Sequence, residues 1–381
     1  MGGPPDNKGP QDEIDLSTDA PLVENLSESS KAGAVGEADD EKKANPNPPD
    51  LISLGAIISS VTEDLPWNLQ DTVDESSNAE STPRKQKTAT YIRQILLNHK
   101  ELSDSKLEKI IKDEVEEIIQ YHPVLENFEV IFLYDFNQIR RTHASSIYQH
   151  LASMPKKRNI LLILKSPGGE VEPAYLISKM CNRLKLSQFI IGIPAEAKSA
   201  ATLLSLGADE LHMGAMSELG PIDPQINDFP ALAFSSALEK IAQLAEKFPG
   251  ASEMLAKYLI GSELDVRALG HYDRITESST HYALRLLQAK TTSVEEEGKA
   301  VMHTLASHFT NHYKDHNFVI DIDEAQELLT KDVVKAETPI YAACHEIHKF
   351  LETFETMMLI KGMKKRVIAM GRSFYVTSPA D

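Results

Sequence analysis

Five consecutive aliphatic residues, Ile160-Leu161-Leu162-Ile163-Leu164, stop at the turn sequence Ser166-Pro167-Gly168-Gly169. A strand that is apolar on both faces needs cover on both faces, which places it inside a sheet layered between helices. A second run, Phe189-Ile190-Ile191-Gly192-Ile193-Pro194, leads into Ala197-Lys198-Ser199-Ala200-Ala201-Thr202, and the stretch closes on Ser217-Glu218-Leu219-Gly220-Pro221-Ile222-Asp223-Pro224-Gln225. Two buried strands therefore each end in a turn rich in backbone donors, and the second turn presents a serine at the head of a helix. That arrangement suits acyl transfer, which needs an activated hydroxyl and donors for the oxyanion.

The flanking residues extend the same alternation. Glu129–Tyr134 reads as a strand and Ile139–Met154 as a helix. Ala174, Ile177, Met180, Cys181 and Leu184 keep helical spacing, Ser199–Leu206 forms a helix closed by Gly207, and Leu211-His212-Met213 is a short strand. Strand and helix in alternation predict a parallel β-α-β core with right-handed crossovers. Ahead of it, Leu107, Ile110, Ile111, Val115, Ile118 and Ile119 share one helical face behind Asp104, a candidate cap. After it, helical patterns cover Leu232–Ile260, Thr280–Leu287, Val301–Tyr313, Asp323–Leu329 and Tyr341–Met358, before a basic end, Lys361-Gly362-Met363-Lys364-Lys365-Arg366. The expected organisation is an acidic, disordered tail at 1–88, an amphipathic helical lead-in at 89–124, the α/β domain at 125–350, and a helix end with a tail at 351–381.

Charge is distributed unevenly. Residues 1–90 hold 18 Asp and Glu against 7 Lys and Arg, so this quarter of the chain carries −11 of the total −18. Such a segment, rich in Pro, Gly, Ser and Asn, buries too little apolar area to offset the entropy of ordering. Within it only Leu51–Ile58 and Trp67 could dock on a partner or on the chain's own core. Arg84-Lys85-Gln86-Lys87 is too short and isolated to make a nucleic-acid surface. Two cysteines, Cys181 and Cys344, cannot form a disulfide framework and fit reduced, buried thiols. The N-terminus lacks the layout of a signal peptide, and no run reaches the roughly 20 apolar residues that span a bilayer. These features predict a cytoplasmic protein without a membrane span.

A serine hydroxyl becomes a nucleophile only with a base to take its proton. Gly168 and Gly169 carry no Cβ to shield their amides. Ser199 stands where a loop hands over to a helix, beside the N–H of Ala200, at the positive end of the helix dipole. Taken separately, a Gly-Gly turn is common in α/β proteins and a serine at a helix start is usually only a cap. Taken together, both turns lie at the carboxyl ends of apolar strands, where such folds place their sites.

Ser166-Pro167-Gly168-Gly169-Glu170-Val171, followed by a serine 31 residues after Gly168, resembles the proteolytic subunit of the Clp protease and the signal peptide peptidase A group. Lys198-Ser199-Ala200-Ala201-Thr202, Ala208-Asp209-Glu210 and Leu219–Gln225 are more similar still to the serine dehydrogenase proteinase family. The resemblance covers roughly 125–350. It implies the crotonase-like (ClpP/crotonase) α/β fold, a homo-oligomer, a peptide or protein substrate, and no metal or other cofactor. By the same resemblance Ser199 is the nucleophile and Gly168, Gly169 and Ala200 supply oxyanion N–H groups. The place of the Clp histidine falls at Ile222-Asp223, which offers no imidazole. The signal-peptide-peptidase pattern implies instead a lysine from a later helix, kept neutral by desolvation. Lys240, 41 residues after Ser199 at the edge of an apolar helical face, is the expected partner in a Ser/Lys endopeptidase, with Lys247 and Lys257 next. Lys198, adjacent to the nucleophile, should point away.

Two other functions share these features: an acyl-CoA-handling enzyme of the crotonase-like group, which needs the oxyanion turns but no serine nucleophile, and a catalytically silent scaffold. Two histidine patterns also need weighing. His308, His312 and His316 recur every fourth residue but lack a carboxylate or cysteine placed to complete a zinc site, so a solvated or capping role is expected. His345-Glu346-Ile347-His348 is one residue short of the zinc-peptidase spacing.

Overall fold

A computed structural model describes residues 102–223, 225–226, 229–258, 266–290, 296–313 and 315–378, together with Tyr91, Ile92, Gln94 and Leu96. The segment read as an acidic tail, with its Leu51–Ile58 and Trp67 candidates, lies outside the described residues.

In chain order the elements are α1 (Asp104–Tyr121), β1 (Phe128–Tyr134), α2 (Arg141–Ser153), β2 (Asn159–Lys165), α3 (Val171–Leu184), β3 (Phe189–Gly192), β4 (Glu196–Ala197), α4 (Ala200–Ser205), β5 (Glu210–Met213), β6 (Glu218–Leu219), β7 (Gln225–Ile226), β8 (Phe229–Pro230), α5 (Ala231–Lys247), α6 (Ser252–Tyr258), α7 (Val266–Gln288), α8 (Glu296–Ser307), α9 (Ile322–Leu329), β9 (Val334–Ala336), α10 (Pro339–Ile360), β10 (Arg366–Gly371) and β11 (Ser373–Thr377). The main sheet has the order β11-β10-β1-β2-β3-β5-β9. From β1 to β9 all neighbours are parallel, and β10 and β11 add an antiparallel edge. This is the expected layered β-α-β core.

Alternation along the central strands divides the core in two. Ile131, Leu133, Ile160, Leu162 and Leu164 pack with Ile147, Ile177 and Leu203 of α2, α3 and α4 on one face. Val130, Phe132, Leu161 and Ile163 pack with Ile111 and Val115 of α1 and with Ile347 and Leu351 of α10 on the other. The unbroken aliphatic run of β2 is thus read by both layers at once. Gly192 ends β3 under α10, which leaves no room for a side chain, since a Cβ there would lie 2.4 Å from Cys344 Sγ. Both cysteines are free and buried.

The amphipathic lead-in packs as its pattern requires, with Leu107, Ile111, Val115 and Ile118 buried, although Ser103 rather than Asp104 occupies the N-cap. Asp321 caps α9 by accepting the N–H of Glu324 at 2.9 Å. Three readings need correction. The helix expected over Leu232–Ile260 breaks between α5 and α6, because the residue before Pro249 is forced out of helical conformation and Phe248 sits at φ −130°, ψ 73°. The helix expected over Val301–Tyr313 ends at Ser307 and widens into a π turn at His308–His312. The segment read as a basic end and tail holds the β10–β11 hairpin, which joins the main sheet through β1. Among the described residues no helix is long and apolar enough to cross a membrane.

Candidate active site

The two turns singled out in the sequence lie against each other. Beyond β2, Ser166 pairs with Ala197, the Ser166 N–H donating to Glu196 O at 3.0 Å and the Lys198 N–H to Ser166 O at 3.0 Å. This brings Gly168 against the start of α4. A Cβ on Gly168 would stand 2.7 Å from both Lys198 O and Ser199 Cβ and 3.2 Å from Ala200 N. Gly169 is held on its other side by the β1–α2 loop, where the Ile139 N–H donates to Gly168 O at 2.7 Å and the Glu170 N–H to Ile139 O at 2.9 Å. That loop has its own buried anchor. The Arg140 N–H donates to His143 Nδ1 at 2.9 Å, so the ring carries its proton on Nε2 and donates it to Asp135 Oδ2, also at 2.9 Å. Burial works to raise the Asp135 carboxyl, but the hydrogen bonds from His143 and Asn137 outweigh it and hold the group below its usual range.

Ser199 is the N-cap of α4 with φ 52° and ψ −117°, and its side chain makes no capping hydrogen bond. A non-glycine residue at positive φ costs on the order of 1–3 kcal/mol and is maintained only where the surroundings impose it. Here they do: the Ser199 carbonyl accepts the N–H of Leu203 at 3.1 Å, the Ala201 N–H donates to Lys198 O at 2.9 Å, and α4 is buried along its whole length. The cap role expected of an ordinary serine at this place is not taken up. A strained strand-to-helix turn of this kind holds a hydroxyl out from the backbone toward a cleft.

The amides divide their tasks. The Gly168 N–H donates to Ser166 Oγ at 3.2 Å and is already engaged. The Gly169–Ile139 bridge uses Gly168 O and the Glu170 N–H, which leaves the Gly169 N–H outside it. Ala200 is the first residue of α4, so its N–H has no acceptor within the helix. Among the described residues neither the Gly169 nor the Ala200 N–H has an acceptor, and both lie where Gly168 touches Ser199.

These residues line a cleft of about 600 Å³. One side is Pro167, Gly168, Gly169, Glu170, Val171 and Glu172 with Ser199, and Gln138 reaches in from the β1–α2 loop. The facing wall is Ile275, Ser278, Ser279 and Tyr282 of α7, with Tyr282 tilted against Tyr175 at 4.6 Å between ring centroids. His316 completes the rim.

The remaining sequence candidates fall as follows. Lys198 turns away from the cleft and pairs with Glu218 at 3.3 Å. Lys240 and Lys247 are exposed on α5, Lys257 pairs with Glu253 on α6 at 2.9 Å, and none of the three lines the cleft. Asp209 serves the sheet, accepting the Phe189 N–H at 2.7 Å and pairing with Lys185 at 2.6 Å. The three histidines spaced by four separate: His308 and His312 stack at 4.1 Å, while His316 lies beyond the π turn in a turn whose Asn317 N–H donates to Asp315 Oδ1. In the other pattern, His348 is buried with Nδ1 2.9 Å from the Tyr134 hydroxyl, and Glu346 pairs with His122 at 2.7 Å. The α7 wall and His316 were not among the expected site residues.

Over residues 89–362 the chain matches the family described as ClpP-like SDH-type serine proteinase. Two curated relatives, both uncharacterized proteins of Methanocaldococcus jannaschii, are 28% identical over 49% of this chain and 33% identical over 27% of it. The matched stretches span 57% and 34% of those proteins' own lengths. Among solved structures, the membrane-bound stomatin-specific protease 1510-N aligns over 59% of this chain and 83% of its own at 16% identity and a TM-score of 0.34. ClpP1 from Listeria monocytogenes aligns over 59% of this chain and 98% of its own at 12% identity and a TM-score of 0.34.

Proposed function

The chain belongs to the ClpP-like SDH-type serine proteinase family, and from that premise we propose that it hydrolyses peptide bonds through an acyl-enzyme on Ser199. The observation that carries this reading is the backbone of Ser199, held at positive φ without a capping bond on the floor of a cleft, against the Gly168-Gly169 turn. A hydroxyl committed to capping would be tied to its own helix, whereas this one is left to face a ligand.

In the proposed reaction Ser199 Oγ attacks the scissile carbonyl as its proton is withdrawn, and the carbonyl oxygen becomes an oxyanion. The N–H groups of Gly169 and Ala200 receive it, and Gly168 shapes the turn that brings them together. Each preorganised donor of this kind supplies roughly 3–4 kcal/mol of transition-state stabilisation. Collapse expels the amine, and water then releases the acid from the ester. An extended peptide would lie along Pro167–Glu172, with the α7 wall at its side chains. The Ser/Lys version of this mechanism requires Lys240 to reach the cleft from an exposed position on α5. A homo-oligomeric state accompanies the proposal through the family resemblance, and a cytoplasmic setting through the free, buried Cys181 and Cys344.

The test is active-site labelling of the full chain with a fluorophosphonate. The wild type should be labelled and Ser199→Ala should not. Hydrolysis of a fluorescent casein should fall on the order of 10⁶-fold in Ser199→Ala, the scale on which a serine peptidase depends on its nucleophile. Equal labelling of both proteins would overturn the reading, and so would a wild type that binds coenzyme A and is not labelled.

A further inference from the structure

A trans peptide is planar, and its C=O and N–H point to opposite sides. In the peptide joining Gly168 to Gly169 the carbonyl is pinned: Gly168 O accepts the Ile139 N–H at 2.7 Å, and Ile139 is buried and no part of the cleft wall. The N–H of the same peptide, that of Gly169, is thereby turned the other way. The following peptide is held by the same residue, with the Glu170 N–H donating to Ile139 O at 2.9 Å. Two glycines at φ 107° and 142° have no side chains to hold such a conformation, so its direction comes from Ile139.

Ile139 lies in the loop between β1 and α2, and that loop closes on one imidazole. The Arg140 N–H belongs to the N-cap of α2, a group that a capping box satisfies with Glu or Gln three residues on. Here the third residue is His143, whose Nδ1 accepts that N–H at 2.9 Å. A glutamate would accept it as well but could not also donate to a carboxylate. His143 does both, with Nε2 2.9 Å from Asp135 Oδ2 and the two side chains 6% and 5% exposed. Asp135 is fixed in turn at the end of β1: its N–H donates to Lys165 O at 3.0 Å, and its Oδ1 accepts the Asn137 N–H at 2.8 Å and Asn137 Nδ2 at 3.0 Å. A buried carboxylate and a buried ring thus string the loop from strand to helix, with Ile139 between them.

We propose that Asp135 and His143 are positioning residues that aim the Gly169 N–H at the oxyanion through Ile139; this rests on the acyl-enzyme reading above. The device works in one tautomer. Ionised Asp135 only accepts, so it keeps the ring proton on Nε2 and leaves Nδ1 free to accept the Arg140 N–H. An asparagine at 135 keeps the shape and reverses this. Its Oδ1 stays with the two donors of Asn137, so its NH₂ faces the ring and sends the ring proton to Nδ1. There it meets the Arg140 N–H donor to donor, and the repulsion falls on the residue next to Ile139.

The experiment follows fluorophosphonate labelling against probe concentration for the full-length wild type, Asp135→Asn, His143→Phe and His143→Gln, each well below its melting temperature by circular dichroism. The phosphoryl oxygen of the attacked probe needs the same donors as a peptide oxyanion. A misaimed Gly169 N–H therefore slows the maximal rate and leaves the half-saturating concentration alone, whereas a role in stability alone moves neither in folded protein. Asp135→Asn and His143→Phe should lose on the order of 10²-fold in maximal rate, the scale of a misplacement of about 1 Å, with half-saturation within about twofold of wild type. His143→Gln, whose amide offers both an acceptor and a donor, should lose roughly tenfold or less. A wild-type maximal rate in Asp135→Asn, a change confined to half-saturation, or a His143→Gln no faster than His143→Phe would overturn the assignment and leave Ser199 in place. An unlabelled wild type would overturn the acyl-enzyme reading itself, and this assignment with it.

Discussion

Thr202 and Gly220 hold each other across 18 residues: the Gly220 N–H donates to Thr202 Oγ1 at 3.1 Å, and that hydroxyl lies 2.7 Å from Gly220 O and 2.7 Å from Ala197 O. One buried side chain therefore ties the elbow strand, the helix behind Ser199 and the loop that carries Asp223. Thr202→Val keeps the shape and deletes the hydroxyl, leaving buried backbone groups unpaired. The expected cost is about 1–3 kcal/mol of stability. Thr202→Ser, which keeps the oxygen, should lose less than half as much. Urea unfolding reads the stability. Fluorophosphonate labelling of the folded Val variant should be slower than wild type, because the elbow and the Asp223 loop lose their common tether. Equal stability of the Val and Ser variants would show that the hydroxyl does not hold these segments.

The two glycines should fail differently. Gly168 sits at φ 107° and Gly169 at φ 142°, so an alanine at either position is strained before any contact is made. On Gly169 the new Cβ would also lie 2.2 Å from Ile139 N and 2.7 Å from Ile139 O, both backbone atoms of the loop anchored by Asp135 and His143. On Gly168 it would press on Lys198 O and Ser199 Cβ. Gly169→Ala should therefore lower the melting temperature, through strain and overpacking of roughly 2–5 kcal/mol. Gly168→Ala should cost less stability yet abolish labelling, since the group that gives way is the nucleophile's own elbow. Melts and labelling of the two variants, measured side by side, distinguish the outcomes.

Much of this was legible along the chain because the signals are local. An aliphatic run such as Ile160–Leu164 admits few placements other than a central strand, and a glycine pair after it marks a turn only glycines can make. The serine's helix start was equally visible, but its positive φ was not, because it is imposed by the Gly168 turn and the buried α4 rather than by residues 198–200 alone. The C-terminal hairpin was obscured for a different reason. Its alternation, with Val367, Ala369, Phe374 and Val376 buried, is short and follows directly on the basic stretch ending at Arg366. The imidazole on the rim of the cleft lay beyond local reading altogether. His316 sits in a turn outside any regular element, and its place on the rim depends on Phe309 and Ile320 docking onto Ile222 and Leu219. The regular spacing of His308, His312 and His316 pointed instead to one helical face, which the π turn breaks.

Acid should weaken the fold through His348. Burial, reinforced by the cations of Lys165 and Lys349 and by His345, pushes its imidazole from the ordinary 6.5 down to about 4, against the opposing pull of Glu352. The Tyr134 hydroxyl, itself held protonated by burial and by Glu355 and Glu352, donates to His348 Nδ1 at 2.9 Å and so favours the neutral ring. The native state thus binds fewer protons than the unfolded chain between these two values, and stability rises with pH across that window. The contribution is complete above about pH 6.5 and is lost as pH falls toward 4, by up to roughly 3 kcal/mol. His348→Leu should be less stable than wild type at pH 7.5, because Tyr134 loses its acceptor, but its unfolding free energy should fall less steeply between pH 6.5 and 4.5. Urea titrations of both proteins at several pH values in that window measure the two slopes. Parallel slopes would mean that the buried imidazole does not set the acid sensitivity of this face of the sheet.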